Sequence, residues 1–184
     1  MIDLVVVGGG PAGVAAALAG RKAGASVVLA ERGDLGGTCV HAGCIPAGAL
    51  HRTMAVKAEA LAAPAVGVQV ENVAVDWGRI SAWASSVVTR VAAFSRLALQ
   101  TAQVEVLQGP ARFLGPGQID AAGRVFQGVP VVVATGARSV AAELPGHPDR
   151  PPLTNDAVLA LDAAPPRVAV LGAGRFSVEW ADFL

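Results

Sequence analysis

Apolar residues in this chain fall into two patterns, and each predicts a different element. Short unbroken apolar blocks that end at glycines read as buried parallel strands: Asp3 to Val7, Ser26 to Ala30, Val129 to Ala134 and Arg167 to Leu171. Longer stretches with helical spacing read as helices over Pro11 to Ala23, Pro46 to Leu61 and Trp77 to Thr101, with Gly24 as the stop of the first. Val66 to Val75 reads as extended, and Gly33 to Gly43 as loop. Val104 to Leu107, Ala111 to Leu114, Gln118 to Asp120 and Arg124 to Gln127 are short runs punctuated by Gly and Pro, the pattern of a small antiparallel meander. Asn155 to Leu161 reads as a short helix, and Phe176 to Leu184 follows the last glycine loop.

The order strand, glycine loop, helix occurs near residue 8 and again near residue 172. Leu144 to Pro152, rich in Pro and Gly, reads as the linker between a first domain at 1–150 and a second segment at 151–184. A composition 53% hydrophobic and 15% charged leaves ample material for a buried core. Fourteen basic and fourteen acidic residues cancel, so no electrostatic argument favours nucleic acid or an anionic membrane. Leu4 to Gly20 carries no charge, but Gly8-Gly9-Gly10-Pro11 interrupts it and no basic region precedes it, against a span or a secretory signal. With two cysteines and no export signal, the expected compartment is the cytoplasm, where cysteine pairs tend to be catalytic or metal-binding.

Gly8, Gly10 and Gly13, with Pro11 and Ala12 between the last two, satisfy G-x-G-x-x-G between a strand and a helix. The first glycine permits a tight turn, the second lets a pyrophosphate reach the backbone, and the third lets helix and strand pack closely. The helix start then offers N–H groups and partial positive charge to the phosphates. Glu31, beside Arg32, lies twenty-three residues after Gly8 at the end of the second strand, where a carboxylate can accept ribose hydroxyls. The competing reading makes the glycines a tight turn and Glu31 a solvated strand end. The loop alone does not separate FAD from NAD.

Cys39 and Cys44, the only cysteines, lie in Gly36-Gly37-Thr38-Cys39-Val40-His41-Ala42-Gly43-Cys44-Ile45-Pro46. Residues five apart diverge by about 140° on a regular helix, so a disulfide between them requires irregular backbone. Gly43 and Pro46 supply it. A helix beginning just after the second cysteine favours the thiolate, which dithiol–disulfide exchange requires. Two other readings stand beside this one: inert buried thiols, and zinc held by Cys39, His41, Cys44 and His51, whose spacing matches no usual zinc pattern. No metal is expected.

Gly-Gly-Thr-Cys-x-x-x-Gly-Cys-Ile-Pro resembles the signature of the class I pyridine nucleotide-disulfide oxidoreductases, among them dihydrolipoyl dehydrogenase, mercuric reductase and glutathione reductase. The likeness continues in order through Gly109-Pro110-Ala111, Ala134-Thr135-Gly136-Ala137 and Gly172-x-Gly174. It implies an α/β, Rossmann-like three-layer FAD/NAD(P)-binding fold: parallel sheet, helices and small antiparallel meander. It further implies an FAD-dependent oxidoreductase that passes electrons from NAD(P)H via FAD to a Cys39–Cys44 disulfide. Cys39 would meet the substrate and Cys44 would lie against the flavin. FAD would be bound by Gly8, Gly10, Pro11, Ala12, Gly13, Glu31, Arg32, Gly37, Thr38, Ala111, Thr135 and Gly136. Gly172, Gly174 and Glu179 would open the NAD(P)H-binding part. The implied substrates are small dithiols, disulfides or mercuric ion, and the complete enzyme would be a homodimer.

Two positions depart from that pattern. The family usually has Ser-Lys after Cys-Ile-Pro, the lysine pairing with a glutamate in the second glycine-loop helix; here Ala47 and Gly48 stand there. Glu179 therefore lacks its customary partner; Arg175, one turn earlier, is the candidate substitute, although in the poorer i,i+4 order, and it also occupies the place of an aromatic gate. Ten residues follow Gly174, so the expectation is an N-terminal portion of such an enzyme, a truncated fold. The alternative is a non-catalytic FAD-binding or inactive module.

Overall fold

The computed structural model describes residues 1–142, 144–145 and 152–184. The chain folds as two compact units, one of residues 1–41 and 89–138, the other of residues 42–88 and 139–184.

The first unit is built on a parallel sheet. Strands β1 (Leu4–Val7), β2 (Val27–Glu31), β3 (Glu105–Gln108) and β7 (Val131–Val133) lie in the order β3-β2-β1-β7. Val6 faces Leu29 and Val132 in register, and Val28 faces Glu105. Alternate side chains of β1 and β2 point to opposite faces, and each face has its own cover. Val6, Val27 and Leu29 pack with Ala17 of helix α1 (Pro11–Lys22) and Leu99 of helix α4 (Trp77–Thr101). Val5, Val28 and Ala30 pack instead with Ile119, Ala121 and Phe126. These belong to an antiparallel sheet of β4 (Ala111–Gly115), β5 (Gln118–Ala121) and β6 (Arg124–Gln127), in that order. Helices, parallel sheet and meander thus form the three layers expected. A valine or leucine fully withdrawn from water contributes roughly 1.5–3 kcal/mol, so the two faces of β1 and β2 dominate this unit's stability.

The meander has three strands rather than four. Val104 to Leu107, expected in it, supplies the edge strand β3 of the parallel sheet. The cause lies at the end of α4: Gln103 takes a left-handed φ of 57°, and Val104 N–H donates back to Leu99 O. Arg21 ties the same corner to α1, donating from Nε to Ala102 O at 2.7 Å and from Nη1 to Ala25 O at 2.8 Å.

Short helix α2 (Gly37–His41) replaces the second half of the expected loop. Gly36 and Gly37 both have positive φ, 112° and 57°, which turns the chain into the helix, and buried Val40 anchors it.

The second unit is helical. Helix α3 (Cys44–Ala62) begins two residues before the expected start at Pro46, because a proline in the first turn gives up only an N–H that lacks an intrahelical partner. A 3₁₀ turn (Ala63–Val66) follows, ending at Gly67; the extended segment expected over Val66 to Val75 is not a strand, since Val66 closes that turn, 68–76 has no regular structure and Asn72 takes a left-handed φ of 54°. Helices α5 (Asn155–Leu159) and α6 (Arg175–Phe183) complete the unit, with Ala49, Leu50, Ile80 and Ala84 as its buried cluster. Arg167 to Leu171, expected as a strand, is not one. Among the described residues the unit has no strand for it to pair with, and Val168, Val170 and Leu171 are exposed. The Leu144 to Pro152 linker falls mostly outside the described residues, as does His147.

Candidate functional site

At the C-terminal ends of β1, β2 and β7 the first unit gathers three backbone segments. Gly8 leaves β1 with a left-handed φ of 103°, and its N–H donates to Ala30 O. A Cβ on Gly8 would stand 2.3 Å from Ala134 O, so β7 closes directly over the turn. A Cβ on Gly13 would stand 1.7 Å from Gly8 O, which is why α1 can start so close to the strand. Gly10 differs: its missing side chain would meet nothing nearer than Gly37 Cα, at 3.9 Å. Backbone there is open to a ligand, and the N–H groups of Ala12 and Gly13 precede the first intrahelical bond, Val14 N–H to Gly10 O at 2.9 Å.

Glu31 closes the loop from the side. Oε2 accepts from Gly9 N–H at 2.5 Å and Oε1 from Gly33 N–H at 2.7 Å. Each oxygen retains a further lone pair for a hydroxyl. Arg32 lies exposed just beyond. Gly36 N–H donates to Gly9 O at 2.8 Å, and Thr38 Oγ1 donates to Ala137 O at 3.0 Å, one residue after Thr135-Gly136. The glycine loop, Glu31, Gly37, Thr38 and the end of β7 are therefore neighbours in one unit. Ala111 begins β4, and Ala122 N–H bonds Pro110 O beside it.

This cradle suits a dinucleotide. It has an open glycine face and helix N–H groups for a pyrophosphate, and a fixed carboxylate for a ribose. The Gly33 N–H, Gly36 and the Ala137 carbonyl also build it. Their roles are main-chain roles, so no side-chain signal in the sequence marks them.

The cysteines sit differently. Cys39 is in α2 and half-buried, while Cys44 is the first residue of α3 and exposed; neither is in a disulfide. Cys39 belongs to the first unit and Cys44 to the second. His41 Nε2 lies 2.9 Å from Leu35 O. His51 Nδ1 is 3.7 Å from Asp182 Oδ2. Among the described residues no group of three or more His, Cys, Asp or Glu could hold a metal ion.

In the second unit Gly172, with φ of 95°, and Gly174, the N-cap of α6, form the second glycine loop. Arg175 Nε reaches Glu179 Oε1 at 2.8 Å, supplying the partner that position 48 lacks. Glu179 Oε2 is buried with no hydrogen-bond partner among the described residues. A Cβ on Gly48 would meet none of the described residues within 4 Å.

The pyridine nucleotide-disulphide oxidoreductase family model matches residues 2–184. The chain belongs to that family. Within it, the chain is 31% identical to a dihydrolipoyl dehydrogenase of Bacillus subtilis, covering 99% of this chain and 41% of the relative. It is 30% identical to a mercuric reductase of Staphylococcus aureus, over 96% of this chain and 32% of that protein. A glutathione reductase of Burkholderia cepacia is 31% identical over 97% of this chain and 39% of its own length. The solved structure of the HOCl-induced flavoprotein disulfide reductase RclA from Escherichia coli matches with a TM-score of 0.80 at 26% identity, covering 98% of this chain and 39% of that one. The chain thus spans about two fifths of the first curated relative's length. No helix among the described residues is long and apolar enough to cross a membrane.

Proposed function

We propose that this chain carries the FAD-binding and redox-dithiol part of an oxidoreductase of this family, in which electrons from NAD(P)H reach a Cys39–Cys44 disulfide by way of FAD. The observation that carries the reading is the cradle at the ends of β1, β2 and β7, where Glu31 is pinned by Gly9 and Gly33 beside the open face of Gly10. FAD, when bound, supplies a two-electron relay between nicotinamide and sulfur. The chain's own part is to hold it. The α1 start and Gly10 take the pyrophosphate, Glu31 takes ribose hydroxyls, and Gly37, Thr38 and Thr135-Gly136 line the remainder. Cys44 at the start of α3 and Cys39 in α2 are the thiols that exchange. The glycine loop before α6, with Glu179, receives NAD(P)H. The substrate class is a small disulfide, dithiol or mercuric ion, the working form a homodimer, and a reducing cytoplasm suits a thiol cycle.

A titration with FAD tests this. The protein is expected to bind FAD with quenching or shift of flavin emission, and Gly10→Ala to keep its thermal melt while binding at least tenfold more weakly, since a methyl group fills the phosphate approach without touching the fold. FAD-indifferent protein, or undiminished binding by Gly10→Ala, overturns the reading.

A further inference from the structure

The segment between the two cysteines is helical on either side and irregular only at Ala42-Gly43, where α2 ends and α3 has yet to begin. One side chain from far along the sequence is fastened to that joint. Asn155, the first residue of α5, donates from Nδ2 to Ala42 O, and its Oδ1 accepts from Trp180 Nε1 on α6 at 2.6 Å. All three residues belong to the second unit. An indole nitrogen can only donate, so Trp180 fixes the amide's orientation and leaves the NH₂ end for the Ala42 carbonyl. A carbonyl at a helix break would otherwise have to find its partner in water.

We propose that Asn155 is a positioning residue for the redox dithiol: by pinning Ala42 it restricts the backbone between Cys39 and Cys44 and so favours closure of their disulfide. The proposal rests on the reading of those cysteines as a redox pair. Closing a short ring is mainly a matter of how many backbone conformations compete with the closed one, and a fixed carbonyl in its middle removes many of them. The exchange is balanced with a cyclic disulfide as oxidant. The Cys39 and Cys44 thiols lose two electrons and two protons to oxidised dithiothreitol, forming one S–S bond in the protein and leaving reduced dithiothreitol. Trp180 acts one step further out, by holding the amide in place.

The experiment equilibrates the protein, without added FAD, in graded mixtures of reduced and oxidised dithiothreitol. Free thiols are then alkylated and the oxidised fraction read by intact mass. Asn155→Ala is expected to lower the equilibrium constant for ring closure about tenfold, a shift of about 30 mV for a two-electron couple. Trp180→Phe is expected to lower it less, about threefold. Val158→Ala, a buried change in the same helix that touches neither bond, is expected to lower the thermal melt and leave the midpoint in place. If the unaltered protein forms no intramolecular disulfide at any ratio, the redox reading falls and this proposal with it. If it does form one, a midpoint unchanged in both Asn155→Ala and Trp180→Phe, or moved equally by Val158→Ala, overturns the role of Asn155 alone.

Discussion

A single carboxylate illustrates how local contacts set charge in this chain. Asp156, in the first turn of α5, accepts from Thr154 Oγ1 at 2.8 Å. That bond first, then its own backbone N–H and the Ser139 side chain, holds its carboxyl below the ordinary value of 3.8. The folded form binds the proton less readily than the unfolded one, so the contribution to stability is present above the ordinary value and lost as pH falls through the lower folded value. Asp156→Asn is therefore expected to be less stable than the parent at pH 7, the gap narrowing below about pH 4. Urea melts at both pH values check it. Glu31 and the glycines around it make a complementary point. The spacing of Gly8, Gly10, Gly13 and Glu31 was legible because each residue type answers one physical demand. Asn155 was not, since nothing in its neighbourhood of sequence indicates that Ala42 waits 113 residues away.

At the scale of elements, α3 carries the clearest departure from the family pattern. Gly48 sits inside a 19-residue helix where, among the described residues, nothing occupies the place a Cβ would take, and the buried Glu179 Oε2 on α6 has no partner among them. Glycine in a helix interior costs about 0.8–1.0 kcal/mol relative to alanine. Gly48→Ala is expected to recover about that much in a denaturant melt. Gly48→Lys should add to it only if the ammonium engages Glu179, and a Gly48→Lys, Glu179→Gln double-mutant cycle reads that coupling directly. In a completed protein carrying the rest of the NAD(P)H-binding part and FAD, Gly48→Lys is expected to speed NAD(P)H-driven flavin reduction in stopped flow; an unchanged rate would separate that position from hydride delivery. Elements bounded by strong signals, such as α1 between Gly10 and Gly24 or α4 over Trp77–Thr101, follow the sequence pattern closely. Helix α2 and the true place of β3 did not, because short segments take their state from the neighbours they find. Val104 to Leu107 has the same composition whether it joins a meander or a parallel sheet.

Across the molecule, stability is concentrated where the parallel sheet is covered on both faces. Leu29 is fully buried at its centre, and Leu29→Ala is expected to cost 2–5 kcal/mol, roughly the range for large core truncations. Val168, 46% exposed in a segment without a ladder, should tolerate Val168→Ser within about 0.5 kcal/mol. Calorimetry of the two variants side by side checks that asymmetry. The apolar run around Val168 is as strand-like in sequence as β1, yet among the described residues only β1 has strand partners, which is the difference between the two.

The order of residues by itself determined the family, the three-layer class of the first unit and the residue types of the dinucleotide cradle. Glycine geometry, apolar periodicity and an acid at a strand end are demands met within a short span of chain. Tertiary structure alone decided which strands pair, that Gly9 and Gly33 pin Glu31, and that Asn155 fastens the joint between the cysteines. These are hydrogen bonds whose directions exist only after the backbone has been placed, and the distances that make them are not encoded in local spacing.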